Sequence, residues 1–177
     1  YANIQAAYDG STSAFSPTFH LHDETIPIHK KFELRIKLQR RVSEELKSKL
    51  YIGKCKNGQT RYVGAKWDGE WLSAKTKTFG DYTILLDTIA PKITPITFNG
   101  TTKTSPRLSF KLSDKGTGIK TYNAWVDDQW ILMKYDGKKN IIYHQFDEYV
   151  TVGQHTIKII VTDLVDNSTS FESEFIR

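Results

Sequence analysis

Short runs of β-branched and aromatic residues alternate along the chain with clusters of Asp, Asn and Gly, and the alternation is clearest in the second half. Seven runs, at 93–98, 107–112, 120–126, 130–135, 141–146, 155–162 and 170–176, read as strands. Between them lie Asn99-Gly100, Asp127-Asp128, Asp136-Gly137, Val152-Gly153 and Asp166-Asn167, residue types that accept turn geometry. Seven short strands in one such stretch match an immunoglobulin or fibronectin-type sandwich. In the run 155–162, Ile157, Ile159 and Val161 alternate with outward-facing positions, which predicts that these three are core.

The first half is less regular. The run 32–38 predicts a strand with Phe32, Leu34, Ile36 and Leu38 inward and Arg35 and Lys37 on the opposite face. Ser43 opens a Glu/Lys-rich stretch, 43–50, suited to a short helix or turn, and extended structure resumes over 51–55. Runs 61–66 and 71–78 flank Trp67-Asp68-Gly69-Glu70, a hairpin signal because Asp-Gly tolerates positive φ. A further run, 83–86, leads into Asp87-Thr88-Ile89-Ala90-Pro91, where the domain boundary is placed. Residues 1–30 hold little pattern beyond an edge strand and a long loop that includes Gly10-Ser11-Thr12-Ser13. The expectation is all-β, two tandem immunoglobulin/fibronectin-like β-sandwich domains: 1–90, less regular at its start, and 91–177, seven-stranded, with a proline-stiffened junction.

Composition narrows the class. A hydrophobic fraction of 38% is too high for wholesale disorder, and no apolar run reaches the ~18–20 residues of a membrane helix. The net charge of +5 is concentrated in residues 1–90, with 14 Lys+Arg against 10 Asp+Glu; residues 91–177 carry the remaining 11 against 10. Lys30, Lys31, Arg35, Lys37, Arg40 and Arg41 supply much of it, either as the solvated side of a half-buried strand or as a weak polyanion-attracting surface. Cys55 is the single cysteine, so no intrachain disulfide can form, and the scarcity of thiols favours an exported protein. The start at Tyr1 without Met and the last strand's position near Arg177 read as a piece of a longer protein.

Specific strings carry a family resemblance. Thr78-Phe79-Gly80-Asp81-Tyr82-Thr83-Ile84-Leu85-Leu86-Asp87-Thr88-Ile89-Ala90-Pro91, Gly118-Ile119-Lys120-Thr121-Tyr122, Trp130-Ile131-Leu132-Met133-Lys134-Tyr135-Asp136, and Val161-Thr162-Asp163 through Asn167-Ser168-Thr169 resemble the C-terminal immunoglobulin-like region of bacterial lysostaphin-type zinc metallopeptidases. The stretch Pro27-Ile28-His29-Lys30 before the Phe32 strand is similar too. The resemblance implies a peptidase domain upstream, absent from this chain and acting on peptidoglycan. It further implies a cell-envelope location, periplasmic or extracellular. The expected function is a non-catalytic accessory region serving positioning, partner or substrate binding, or regulation. Its partners would be that peptidase domain or peptidoglycan, with no nucleic acid and no membrane span. A free-standing adhesion or glycan-binding protein is the competing class.

Candidate chemistry is sparse. His20-Leu21-His22 would place two imidazoles on one strand face, as a zinc site requires, but no earlier His-x-x-x-Asp pair completes a ligand set, and a solvated histidine pair is the plainer reading. His29, His144 and His155 lack a second ligand at recognisable spacing, and Cys55, between Lys54 and Lys56, reads as ordinary. No catalytic, cofactor-binding or metal-ligating residue is therefore assigned. Asp87, Asp114, Asp163 and Asp166 could gather at one pole of the second domain and take calcium, or could close turns through backbone hydrogen bonds. Of the four tryptophans, Trp125 is expected in the core, while Trp67 and Trp71 beside the hairpin are the candidate binding surface for a glycan.

Overall fold

The computed structural model describes residues 4–7, 15–96 and 106–177. The expected Asn99-Gly100 turn, the end of the 93–98 run and the Gly10-to-Ser13 loop lie outside the described residues. Two compact units divide the chain, Tyr1–Thr88 and Ile89–Arg177. Each is built almost wholly of antiparallel strands.

In the first unit, β1 (Ile4–Ala7), β2 (Thr18–Leu21), β8 (Gly80–Leu86), β4 (Leu50–Lys56) and β5 (Gln59–Gly64) form a five-stranded sheet in that order. A second sheet has the order β3 (Phe32–Lys37), β7 (Trp71–Thr76), β6 (Lys66–Asp68). One core joins them: Leu21, Leu50, Ile52, Tyr82 and Ile84 from the larger sheet pack with Ile36, Leu72 and Ala74 from the smaller. Phe32, Leu34 and Leu38 pack against that core as the alternation predicts, and Arg35 and Lys37 are exposed. A short helix, α1 (Glu44–Lys47), starts where Ser43 Oγ accepts the Leu46 N–H, with Glu44 and Glu45 in its first turn.

The turn positions follow side-chain chemistry. Asn57 and Gly58 both have positive φ, 51° and 74°, and join β4 to β5 in a two-residue hairpin pairing Lys56 with Gln59. The Asp-Gly signal also forms a hairpin, but Asp68 pairs with Trp71, so Gly69-Glu70 makes the turn. Immediately after β5 the chain crosses from the five-stranded sheet to the three-stranded one. Gly64 sits at that crossing, where a Cβ would lie 2.7 Å from the Ala74 Cβ. Only a residue without a side chain permits this approach.

The second unit also has two four-stranded sheets around one core. One has the order β13 (Lys134–Asp136), β14 (Ile141–Gln145), β10 (Arg107–Ser113), β9 (Lys92–Pro95). The other has the order β12 (Gln129–Ile131), β11 (Ile119–Val126), β15 (Gln154–Asp163), β16 (Ser168–Ile176). Ile157, Ile159 and Val161 are fully buried, as their spacing predicts, against Leu108, Phe110 and Ile142 of the facing sheet. Two expectations fail. The run 130–135 is not one strand: β12 pairs with β11 and β13 with β14, so the chain changes sheet through exposed Leu132 and buried Met133. Trp125 is not core, because Ala124 and Val126 take the inward positions and turn the indole to the other face beside Trp130.

Candidate functional site

The three-stranded sheet presents an outer face made by strand alternation. Rows pair Lys37 with Trp71 and Asp68, and Arg35 with Ser73 and Lys66. Trp71 is 41% exposed, and the Arg35 guanidinium stands 5.5 Å from its ring centroid while Arg35 Nη2 donates to Asp68 Oδ2 at 2.7 Å. Lys37 reaches Glu70 at 3.1 Å. Trp67 belongs to the opposite row, paired with buried Leu72, and packs against the core. Its Nε1–H donates to the Lys47 carbonyl at 3.0 Å, with the Lys47 ammonium 5.1 Å from the ring centroid. Of the two tryptophans expected to share a binding surface, Trp71 offers an exposed ring and Trp67 mainly supports the interior.

His20 and His22 do not act as a strand pair. Leu21 ends β2, and His22 already has a φ of 50°, its ring edge-on to Phe79 at 5.0 Å. His20 Nδ1 lies 2.6 Å from Asp81 Oδ1, its cross-strand partner. Asp81 is in turn opposite Cys55, so the three side chains form one row across β2, β8 and β4. This row lines a cleft of about 560 Å³ together with His22, Glu24 and Lys56. The Asp lies between His and Cys, whereas an imidazole that deprotonates a thiol stands next to it. Glu24 receives Lys56 Nζ, and that hydrogen bond holds its carboxyl below the usual range. His29 is exposed.

Asp114 and Asp163 close turns in the second unit. Asp114 Oδ2 accepts the N–H groups of Gly116 and Gly118. Asp163, fully buried, accepts Val165 and Asn167 N–H through Oδ1 and the Asn167 amide through Oδ2. Their nearest carboxylate oxygens lie within 4.8 Å of each other. Asp114 Oδ1 is buried without a hydrogen bond. Asp166 does not join them: it is exposed and pairs with Lys120 at 2.6 Å. Asp87 is a buried residue of the first unit, its N–H bonded to the Lys49 carbonyl.

Sequence reasoning missed a second cleft, of about 450 Å³, at one end of the second unit. His144 and His155 both line it, although they are distant in sequence and each read as structural. His155 Nδ1 bonds Asp127 and its Nε2 meets the Thr151 carbonyl at 2.8 Å. The Asp127 carboxylate raises the His155 pKa, while its own is lowered by His155 and by the Thr156 N–H. One local signal marked His144: it shares the inward parity of β14 with buried Ile142 and is itself only 6% exposed.

Residues 1–87 match the family model of the Zu5-like domain, a span that coincides with the first unit. No curated protein matches the chain. The chain is an all-β protein of two units, the first of which is similar to Zu5-like domains.

Proposed function

We propose that the chain is a non-catalytic accessory region of a bacterial cell-envelope zinc endopeptidase, with immunoglobulin-like sandwiches that bind peptidoglycan or the peptidase domain and hold the two together. The single observation behind this reading is the outer face of β3, β7 and β6, where exposed Trp71 lies among Arg35, Lys37 and Lys66. An indole stacks on the apolar face of a sugar ring, and neighbouring cations attract the carboxylates of peptidoglycan stem peptides. Lys37 and Arg35 are already paired with acidic neighbours, so affinity would come from the ring and the cations would add orientation. The resemblance in the strings from Thr78 to Pro91 and from Trp130 to Asp136 supplies the parent enzyme.

Co-sedimentation with insoluble peptidoglycan sacculi, with muropeptide release followed with and without zinc, tests this. Binding without release, weakened about tenfold (~1.4 kcal/mol) by Trp71→Ala, is expected. Zinc-dependent release would overturn the non-catalytic reading. Absence of binding, with the Trp71→Ala variant indistinguishable from the parent chain, would remove peptidoglycan as the partner.

A further inference from the structure

We propose that the cleft at the end of the second unit is a saccharide-binding site, recognising a pair of neighbouring hydroxyls through His144 and Asp147 and packing a sugar face on Tyr149. It stands on the second unit alone and does not depend on the Trp71 surface of the first.

The site begins with a histidine that has half of its hydrogen bonding complete. His144 Nδ1 lies 3.1 Å from the Leu132 carbonyl, which can only accept, so Nδ1 carries the proton. In the neutral ring Nε2 is then the acceptor. It makes no hydrogen bond although the residue is 94% buried, and the ring lines the cleft. Leaving a polar atom unsatisfied in such a place is unfavourable, a cost that a donor entering the cleft removes. Asp147 Oδ2 stands 3.9 Å from Nε2, too far for a direct hydrogen bond. The two acceptors side by side suit two donors on adjacent carbons, the arrangement that a vicinal diol presents.

The loop bearing these groups is fixed before any ligand arrives. Asp147 Oδ1 accepts the Tyr149 N–H at 3.1 Å, which leaves the other carboxylate oxygen near His144. The Arg177 guanidinium donates to the Asp147 carbonyl at 2.7 Å and lies over Phe146. The cleft's polar groups are flanked by apolar surface that the core does not cover: Tyr149 is 76% exposed, Leu132 61% and Trp130 58%. A rim of this kind buries the C–H faces of a sugar, and the volume of about 450 Å³ falls among small-ligand sites. Asp127, the other acid of the cleft, is bonded to His155. Asp147 is therefore the carboxylate left to meet a hydroxyl.

The test uses the full chain, labelled with nitrogen-15, titrated with chitotetraose, cellotetraose and maltotetraose to about 10 mM, well above a millimolar Kd. Nα-acetyl-lysine amide serves as a cationic control. Saturable binding of at least one tetraose, with movement of the His144 Nε2 resonance, is expected. Tyr149→Ala, a change at an exposed position, and His144→Gln should each weaken binding about tenfold, about 1.4 kcal/mol, with the amide spectrum otherwise retained. If His144→Gln fails to fold, Tyr149→Ala and the histidine resonance of the parent chain decide alone. The proposal is overturned if no tetraose moves the His144 ring, if binding survives Tyr149→Ala unchanged, or if only the lysine derivative binds.

Discussion

At the scale of single residues, two polar contacts, one buried and one at the surface, set measurable stabilities. The Tyr82 hydroxyl, deep in the first core, donates to the Thr78 carbonyl at 2.6 Å and lies 3.2 Å from the buried Thr76 Oγ1. Tyr82→Phe keeps the ring and removes these bonds, so urea unfolding should show a loss of ~1–2 kcal/mol; an unchanged midpoint would mean that water replaces the hydroxyl. In the second unit, the His155–Asp127 bond makes stability depend on pH. The folded His155 pKa lies above its ordinary 6.5, so its contribution is complete below that value and is lost as pH rises through the raised pKa. Asp127 lies below 3.8, so its contribution is present above that value and disappears as pH falls through the lowered one. Arg177 opposes the His155 charge and the Thr151 carbonyl supports it, and their net effect leaves the shift upward. The thermal midpoint of residues 89–177 should therefore decline from mildly acidic to alkaline pH, and His155→Phe should flatten that slope. A slope identical in the variant would assign it to other groups.

At the scale of elements, what could be read from the chain was whatever is decided locally. Inward positions on β3 and β15 follow from a two-residue period, and the Asp127-Asp128 and Gly69 turns follow from their tolerance of positive φ. Alternation also holds the answer for Trp125, since inward Ala124 and Val126 leave it no place in the core. What could not be read is which sheet a strand joins. The runs 61–66 and 130–135 each look continuous, yet each crosses between layers, at Gly64–Lys66 and at Leu132–Met133, because pairing partners lie far away in sequence. The cleft around His144 was hidden for the same reason: the Leu132 crossover, the end of β14 and the loop at Tyr149 meet only in three dimensions. Gly64 supplies the test of a crossing. Gly64→Ala would force its Cβ against Ala74 and should cost ~1–3 kcal/mol, with Ala74→Gly in the double variant recovering part of the loss. A fully stable Gly64→Ala would show that the two strands can separate without penalty.

At the scale of the whole molecule, each unit closes its own hydrogen-bonded sheets and its own core. Among the described residues, every strand pairing stays within residues 4–86 or within 92–176, and each of the two apolar clusters draws on one unit alone. Cooperative unfolding comes from the mutual burial of one core, so the chain should behave as two cooperative systems. Residues 1–88 and 89–177 expressed separately should each show a sigmoidal urea transition, with m-values in the ~1–3 kcal/mol/M range of small domains. A core substitution such as Phe110→Ala, which removes a fully buried ring, should lower the second transition by ~3–5 kcal/mol. The same substitution in the full chain should leave the unfolding of Tyr82 and its neighbours in place. If Phe110→Ala instead moved both transitions together, the units would share their stability. Two sheets and a core on either side of Thr88 would then be one folding system.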